Sequence, residues 1–248
     1  MNLMQEDIIH NLAIIEKRIQ DACNKANRDR EEVKLLLATK TVSADRIKIA
    51  VEQGYHLIAE NKVQEVKEKH QVLSELPIEQ HFIGHLQTNK VKDIMKYGIS
   101  CIQSLDRVSL AEKLQQYLER NDRTIDVFLQ VNTSDENSKF GIAPSEARNF
   151  AREIAQFDRL NIKGLMTIGL FSADESLVRP CFKRLRTAQS QIEELGLPNV
   201  VMQELSMGMS QDLEIAIDEG ATIIRVGTAI FGQRIYPDSY YWNENSNN

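Results

Sequence analysis

The sequence predicts an α/β protein made of a single (β/α)8 barrel, a TIM barrel, with an extra helix at the N-terminus. Three observations carry this expectation. Eight short β-prone runs alternate with helical stretches. Runs such as LLLA and TII are apolar without alternation, as in strands covered on both faces. The length of 248 residues is what eight βα units occupy. Residues 1–248 are therefore expected to form one domain, with no linker or low-complexity tract dividing it. An open doubly wound sheet is the competing architecture, but no GxGxxG follows the first run.

The N-terminal helix is predicted over about 3–27. There Met4, Ile8, Leu12, Ile15, Ile19 and Ala22 recur at steps of four and three along one face. The first strand follows at 33–40 (VKLLLATK), then a helix with Ile47, Ala50 and Val51 on one side and Gly54 as its cap. The remaining strands are expected at 56–60, 80–84, 100–105, 126–132, 162–168, 200–206 and 222–230. Helices are expected between them, among others at 107–120, 145–157 and 175–195. The last strand ends close to Phe231, which leaves little chain for a conventional eighth helix. The N-terminal helix is therefore expected to help close the outer ring. The tail, 235–248, is expected to be poorly ordered.

Composition excludes several classes of function. With 30 Lys+Arg against 36 Asp+Glu, the net charge of −6 gives no general attraction for nucleic acid or anionic membrane. No apolar run approaches the roughly 18 residues of a membrane span. Glu6 and Asp7 stand where a signal peptide would carry basic residues. Cys23, Cys101 and Cys181 show no CxxC spacing, which points to a reducing cytoplasm.

Barrels of this kind place reactive groups at the C-terminal ends of strands. Those ends carry Lys40, Asn61, His85, Ser104, Asn132, Thr167, Ser206 with Met207, and Gly227 with Thr228. Lys40 leaves a buried strand directly. It is either a desolvated amine able to condense with a carbonyl or a lysine reaching past the strand to solvent. Arg225 lies within the last strand, where a guanidinium needs an acceptor. That acceptor is either a buried carboxylate, with Glu204 as the candidate, or a bound ligand. The turns SMGMSQD and VGTAIFG end the last two strands, the usual place for a phosphate site. Gly208 and Gly227 would admit the backbone there, and Ser206, Ser210 and Thr228 supply hydroxyls. Asp212 and Glu214 would compete with an anion. His81 and His85 lack companions at metal-ligand spacing, so no metal is expected. No GxSxG or HExxH motif supports a hydrolase.

Taken in order, ATKTVS, AENKVQE, HFIGHLQTNK, SLDR, QVNTSDENSKFG, GLMTIG and LSMGMSQDLEIAIDEGATIIRVGTAIFGQR closely resemble the pyridoxal-phosphate homeostasis proteins, over about 33–234. That family in turn is similar to the barrel half of fold-type-III enzymes such as alanine racemase. The resemblance implies pyridoxal 5′-phosphate (PLP) as cofactor and Lys40 as the lysine that forms a Schiff base with it. It sets Arg225 against the pyridine nitrogen and Asn61 near the ring. Ser206, Ser210, Gly227 and Thr228 match phosphate-binding positions, and Met207 matches the methionine of the same loop. The family usually reads Gly-Glu-Asn where this chain has Ala59-Glu60-Asn61.

The function implied is to hold, deliver or sense PLP in cofactor and amino-acid homeostasis, without catalytic turnover. PLP-dependent apo-enzymes are the expected partners, and a monomer the expected state. An arginine can only donate to the ring nitrogen, which weakens the ring as an electron sink. In the racemases a tyrosine from a further domain serves as second acid/base; here only Tyr236, Tyr240 and Tyr241 follow the barrel. Two alternatives remain open at this point. One is a monomeric PLP-dependent amino-acid racemase. The other is an aldolase using Lys40 on a phosphorylated substrate, in which Arg225 would need a different partner.

Overall fold

The structure, a computed structural model, describes residues 3–136 and 138–232. Eight parallel strands close into a barrel in sequence order: β1 Lys34–Ala38, β2 Leu57–Glu60, β3 Glu79–Phe82, β4 Cys101–Leu105, β5 Ile125–Gln130, β6 Leu160–Met166, β7 Val200–Ser206 and β8 Ile223–Val226. Closure is made by β8 against β1, with Leu36 beside Arg225 and Leu37 beside Val226. The continuous apolar runs are explained by burial on both faces. In β1, Leu36 belongs to the small core inside the barrel, with Ala59, Phe128 and Met166. Its neighbours Leu35 and Leu37 join the larger core between barrel and helices.

The outer layer consists of α1 Leu3–Lys25, α2 Ala44–Glu52, α3 Val63–Leu73, α4 Val91–Ile94, α5 Val108–Arg120, α6 Ala147–Ile154, α7 Glu175–Glu193, α8 Leu213–Asp218 and α9 Thr228–Phe231. The expected stripe on α1 is buried: Ile8, Leu12, Ile15 and Ile19 are all at most 2% exposed. It packs against α2, α8 and α9, where the ring is thin because α8 and α9 are short. Polar contacts fix it there. Asn11 Nδ2 donates to the Ile230 carbonyl at 3.0 Å, Arg18 pairs with Glu214 at 2.7 Å, and Arg28 Nη1 donates to the carbonyls of Ile217 and Ala221. The N-terminal helix thus closes the ring as expected.

Most element ends shift by a few residues from expectation, and two of these shifts have a clear local cause. Helix α1 stops at Lys25, two residues early, because Asn27 turns into the left-handed region at φ +54°, which asparagine tolerates better than most residues. The last strand ends at Val226 rather than 230. At Gly227 the chain turns into α9, and the Gly227 carbonyl accepts from the N–H groups of Ile230 and Phe231. The apolar TAI run is therefore helical, and Ile230 and Phe231 are buried beneath α1 and its neighbours. The tail expected to be poorly ordered, 235–248, lies outside the described residues. Among the described residues no helix is long and apolar enough to cross a membrane.

Candidate functional site

A cavity of about 420 Å³ opens at the C-terminal ends of the strands. Six residues singled out from the sequence line it together: Lys40, Asn61, Ser210, Arg225, Gly227 and Thr228. They come from β1, β2, the loop after β7, and β8 with its following turn, so only barrel closure brings them together. Its size suits a small planar ligand with a polar tail.

Lys40 sits two residues beyond β1 on a heavily braced turn. Lys69 Nζ, from α3, donates to the Thr39 carbonyl at 2.9 Å, to Glu60 Oε1 at 2.8 Å and to Glu65 Oε2 at 2.7 Å. Thr39 Oγ1 also donates to Glu60 Oε1, at 2.6 Å. On the other side of Lys40, the Thr41 N–H donates to Glu65 Oε2 at 2.6 Å. Thr41 adopts φ +65°, a region that a β-branched residue seldom occupies, and Glu65 holds it there. Glu60 is fully buried. Burial pushes its carboxyl up to about 7, against the opposing pull of the Lys69 ammonium.

Asn61, next to Glu60, is 7% exposed and lines the cavity. Its Oδ1 has no hydrogen-bond partner among the described residues. A buried amide oxygen left so is costly, and a ligand in the cavity would relieve it.

Arg225 projects from β8 and is 5% exposed. Its Nη1 donates to Ser206 Oγ at 2.9 Å and its Nη2 to the Thr167 carbonyl at 2.7 Å. Burial lowers it to about 10, with Asp212 acting the other way, so it stays protonated at neutral pH. Glu204 is not its partner. That carboxylate instead pairs with Lys34 and accepts from Thr222 Oγ1, at the starts of β1 and β8, one inward-facing position below Ser206 on β7. Arg225 therefore spends no carboxylate hydrogen bond and faces the cavity with a guanidinium oriented by neutral acceptors.

Asp212, which also lines the cavity, accepts from the Met209 N–H at 2.6 Å. Burial raises its carboxyl, against that hydrogen bond and Arg225. Asp212 thus orders the loop carrying Ser210, and Glu214 is drawn away by Arg18. The two carboxylates expected to compete with an anion therefore both have protein partners. Gly208 adopts φ +90°, and a Cβ there would come within 2.4 Å of Ala216 Cβ. A Cβ at Gly227 would come within 2.7 Å of the Ala38 carbonyl. Both glycines are required by close protein packing, Gly208 against α8 and Gly227 against β1, and of the two only Gly227 lines the cavity.

Ser206 and Met207 are not brought to the cavity wall. Ser206 is fully buried beneath Arg225, where Oγ also donates to Gln103 Oε1 at 2.6 Å. Met207 is buried in the outer core, because successive strand residues point to opposite faces. Asn132 braces its own loop, donating to the carbonyls of Glu136 and Lys139. His85 stacks on Phe140 at 3.9 Å between ring centroids and lies 3.7 Å from Asp106. The sequence reading missed Lys139, which lines the cavity and donates to the Gly169 carbonyl at 2.7 Å. Its only signal was its place in DENSKFG, within a loop rather than at a strand end. No group of three or more His, Cys, Asp or Glu able to hold a metal ion occurs among the described residues.

Comparison with known proteins agrees with this fold. The family model described as "Alanine racemase, N-terminal domain" matches residues 10–235. A "Pyridoxal phosphate homeostasis protein" of Aquifex aeolicus is 40% identical over 225 residues, covering 91% of this chain and 97% of that one. The solved structure of PipY from Synechococcus elongatus with PLP bound is 30% identical. It superposes with a TM-score of 0.75, covering 87% of this chain and 100% of that one. An alanine racemase of Clostridium difficile, 13% identical, shares the fold with a TM-score of 0.74; the match covers 94% of this chain and 58% of the racemase. The chain belongs to the pyridoxal phosphate homeostasis proteins, a family built on the barrel domain of alanine racemase.

Proposed function

We propose that this chain binds PLP in the cavity, holds it as a Schiff base on Lys40, and serves intracellular PLP and amino-acid homeostasis without catalytic turnover. The observation that carries the reading is that Lys40, Asn61, Ser210, Arg225, Gly227 and Thr228 line one cavity. A single ligand with an aldehyde, an aromatic nitrogen and a phosphate accounts for all six. PipY, at 30% identity, is a relative solved with PLP bound.

Each residue has a part in this reading. The braced turn presents the Lys40 amine to the aldehyde. Arg225 donates to the ring nitrogen, Asn61 lies at the ring, and Ser210, Thr228 and the backbone at Gly227 hold the phosphate. PLP when bound supplies an electrophilic carbon conjugated to an electron-withdrawing ring. Arg225 limits that withdrawal, because a guanidinium still charged at neutral pH has no proton to spare for the nitrogen. The cofactor is kept reactive toward amines and poorly suited to stabilising a carbanion. A cytoplasmic monomer that passes PLP to apo-enzymes follows from the same reading.

The test is a PLP titration of the purified chain, followed by absorbance, alongside α-proton exchange of amino acids in deuterated buffer. A band above 400 nm that Lys40→Ala abolishes, with no exchange above the rate of free PLP, is the expected result. Exchange at useful turnover would make the protein a racemase, and the absence of any band would remove PLP from the account.

A further inference from the structure

Beneath Arg225 a line of side chains crosses the inside of the barrel. Arg225 Nη1 donates to Ser206 Oγ at 2.9 Å, and Ser206 Oγ donates to Gln103 Oε1 at 2.6 Å. Gln103 Nε2 lies 2.8 Å from His81 Nδ1, and His81 Nε2 lies 2.8 Å from Glu79 Oε1. Four strands contribute to it: β8, β7, β4 and β3. Gln103 and Ser206 are fully buried, and His81 is 4% exposed.

The chemistry of its two ends and the placement of the Gln103 amide together set the direction of every bond. A guanidinium only donates, and a carboxylate only accepts. The hydrogen bond from His81 holds the Glu79 carboxyl below its ordinary range, so Glu79 is an acceptor. His81 Nε2 therefore carries a proton, and Nδ1, which faces the Gln103 amide nitrogen, a group that can only donate, is the acceptor. Gln103 must turn its amide nitrogen to His81 and its oxygen to Ser206. Ser206 must give its single proton to Gln103, leaving a lone pair for Arg225.

The surrounding interior is apolar, with Leu36, Ala59, Phe128 and Met166. Polar groups are expensive there unless every one is satisfied. We infer that Ser206, Gln103 and His81 are positioning residues for Arg225: a one-way hydrogen-bond chain that fixes the guanidinium from below, while the Thr167 carbonyl fixes its second nitrogen. The orientation of the donor offered to the cofactor ring is thereby set by residues that never touch the cofactor. The inference rests on the reading above that Arg225 meets the ring of PLP.

Two measurements test it. The first uses the native chain without cofactor and records the long-range ¹H–¹⁵N spectrum of His81. A protonated Nε2 with an unprotonated Nδ1 is expected, and the opposite tautomer overturns the chain. The second compares PLP affinity and the absorption band in Gln103→Leu, Ser206→Ala, Ser206→Thr and Arg225→Lys. Gln103→Leu and Ser206→Ala should bind PLP about tenfold more weakly with a displaced band, the loss typical of one hydrogen bond to a charged group, and Ser206→Thr should restore both. If Arg225→Lys changes the band while Gln103→Leu and Ser206→Ala leave it unaltered, the chain has no positioning role. If Arg225→Lys itself leaves band and affinity unaltered, it is the assignment of Arg225 to the cofactor that fails. Should Gln103→Leu not fold, the tautomer and the Ser206 pair still decide.

Discussion

Lys69 Nζ lies 2.8 Å from Glu60 Oε1, a buried ion pair set in the wall that carries Lys40. The same ammonium holds the Thr39 carbonyl and Glu65, and Glu65 accepts from the Thr41 N–H, so α3 is tied to the residues on either side of Lys40. Above the pH of about 7 at which Glu60 ionises, removing Lys69 strands a charge in a low dielectric. Lys69→Met is expected to destabilise the chain by about 3–5 kcal/mol, and adding Glu60→Gln should recover most of that loss. Urea unfolding of the single and double variants measures both. A single variant within about 1 kcal/mol of the native chain would show that the pair is not braced as described.

Glu60 also gives stability a pH dependence whose sign is fixed. Its carboxyl is raised from 4.5 to about 7 in the folded chain, chiefly by burial. Between those values the folded state holds a proton that the unfolded state has released. Stability contributed by Glu60 is therefore full below 4.5 and is lost as the pH rises through about 7. The urea midpoint of Glu60→Gln should be flatter across this window than that of the native chain. Equal slopes in the two proteins would place the titrating proton elsewhere.

Gly227 abuts β1 so closely that a Cβ would lie 2.7 Å from the Ala38 carbonyl. The constraint is the space against β1, which a Cβ would fill. Gly227→Ala should push β8 from β1 at the cavity rim and destabilise the protein by about 1–3 kcal/mol. It should weaken PLP binding as well. Calorimetric Tm with and without PLP separates the two effects, and an unchanged ligand-induced rise in Tm would show that the turn does not serve the cofactor.

Much of this was legible in the sequence, for identifiable reasons. Strands buried on both faces betray themselves as apolar runs, so all eight were found, and the stripe on α1 predicted its packing. Lys40 and Arg225 were visible because a charge at the end or middle of an apolar run is conspicuous. The end of β8 was misjudged because TAI is as apolar in a buried helical turn as in a strand. Ser206 was placed with the phosphate loop, yet alternation along β7 puts its hydroxyl under Arg225. The chain from Gln103 to His81 could not be read at all, since its members are 22 residues apart in sequence and meet only when β3 and β4 pair. Lys139 escaped for a similar reason: it lies within a loop, and its amine meets the Gly169 carbonyl, 30 residues away, in the folded barrel.

The central claim, that Lys40 is the residue holding the cofactor, is tested most directly by borohydride reduction of the PLP-loaded native chain followed by peptide mass mapping. Two lysines line the cavity, Lys40 and Lys139, so the measurement can discriminate. A phosphopyridoxyl adduct on the peptide containing Lys40, at one per chain, is the predicted result. An adduct confined to Lys139, or none on either lysine, would contradict it.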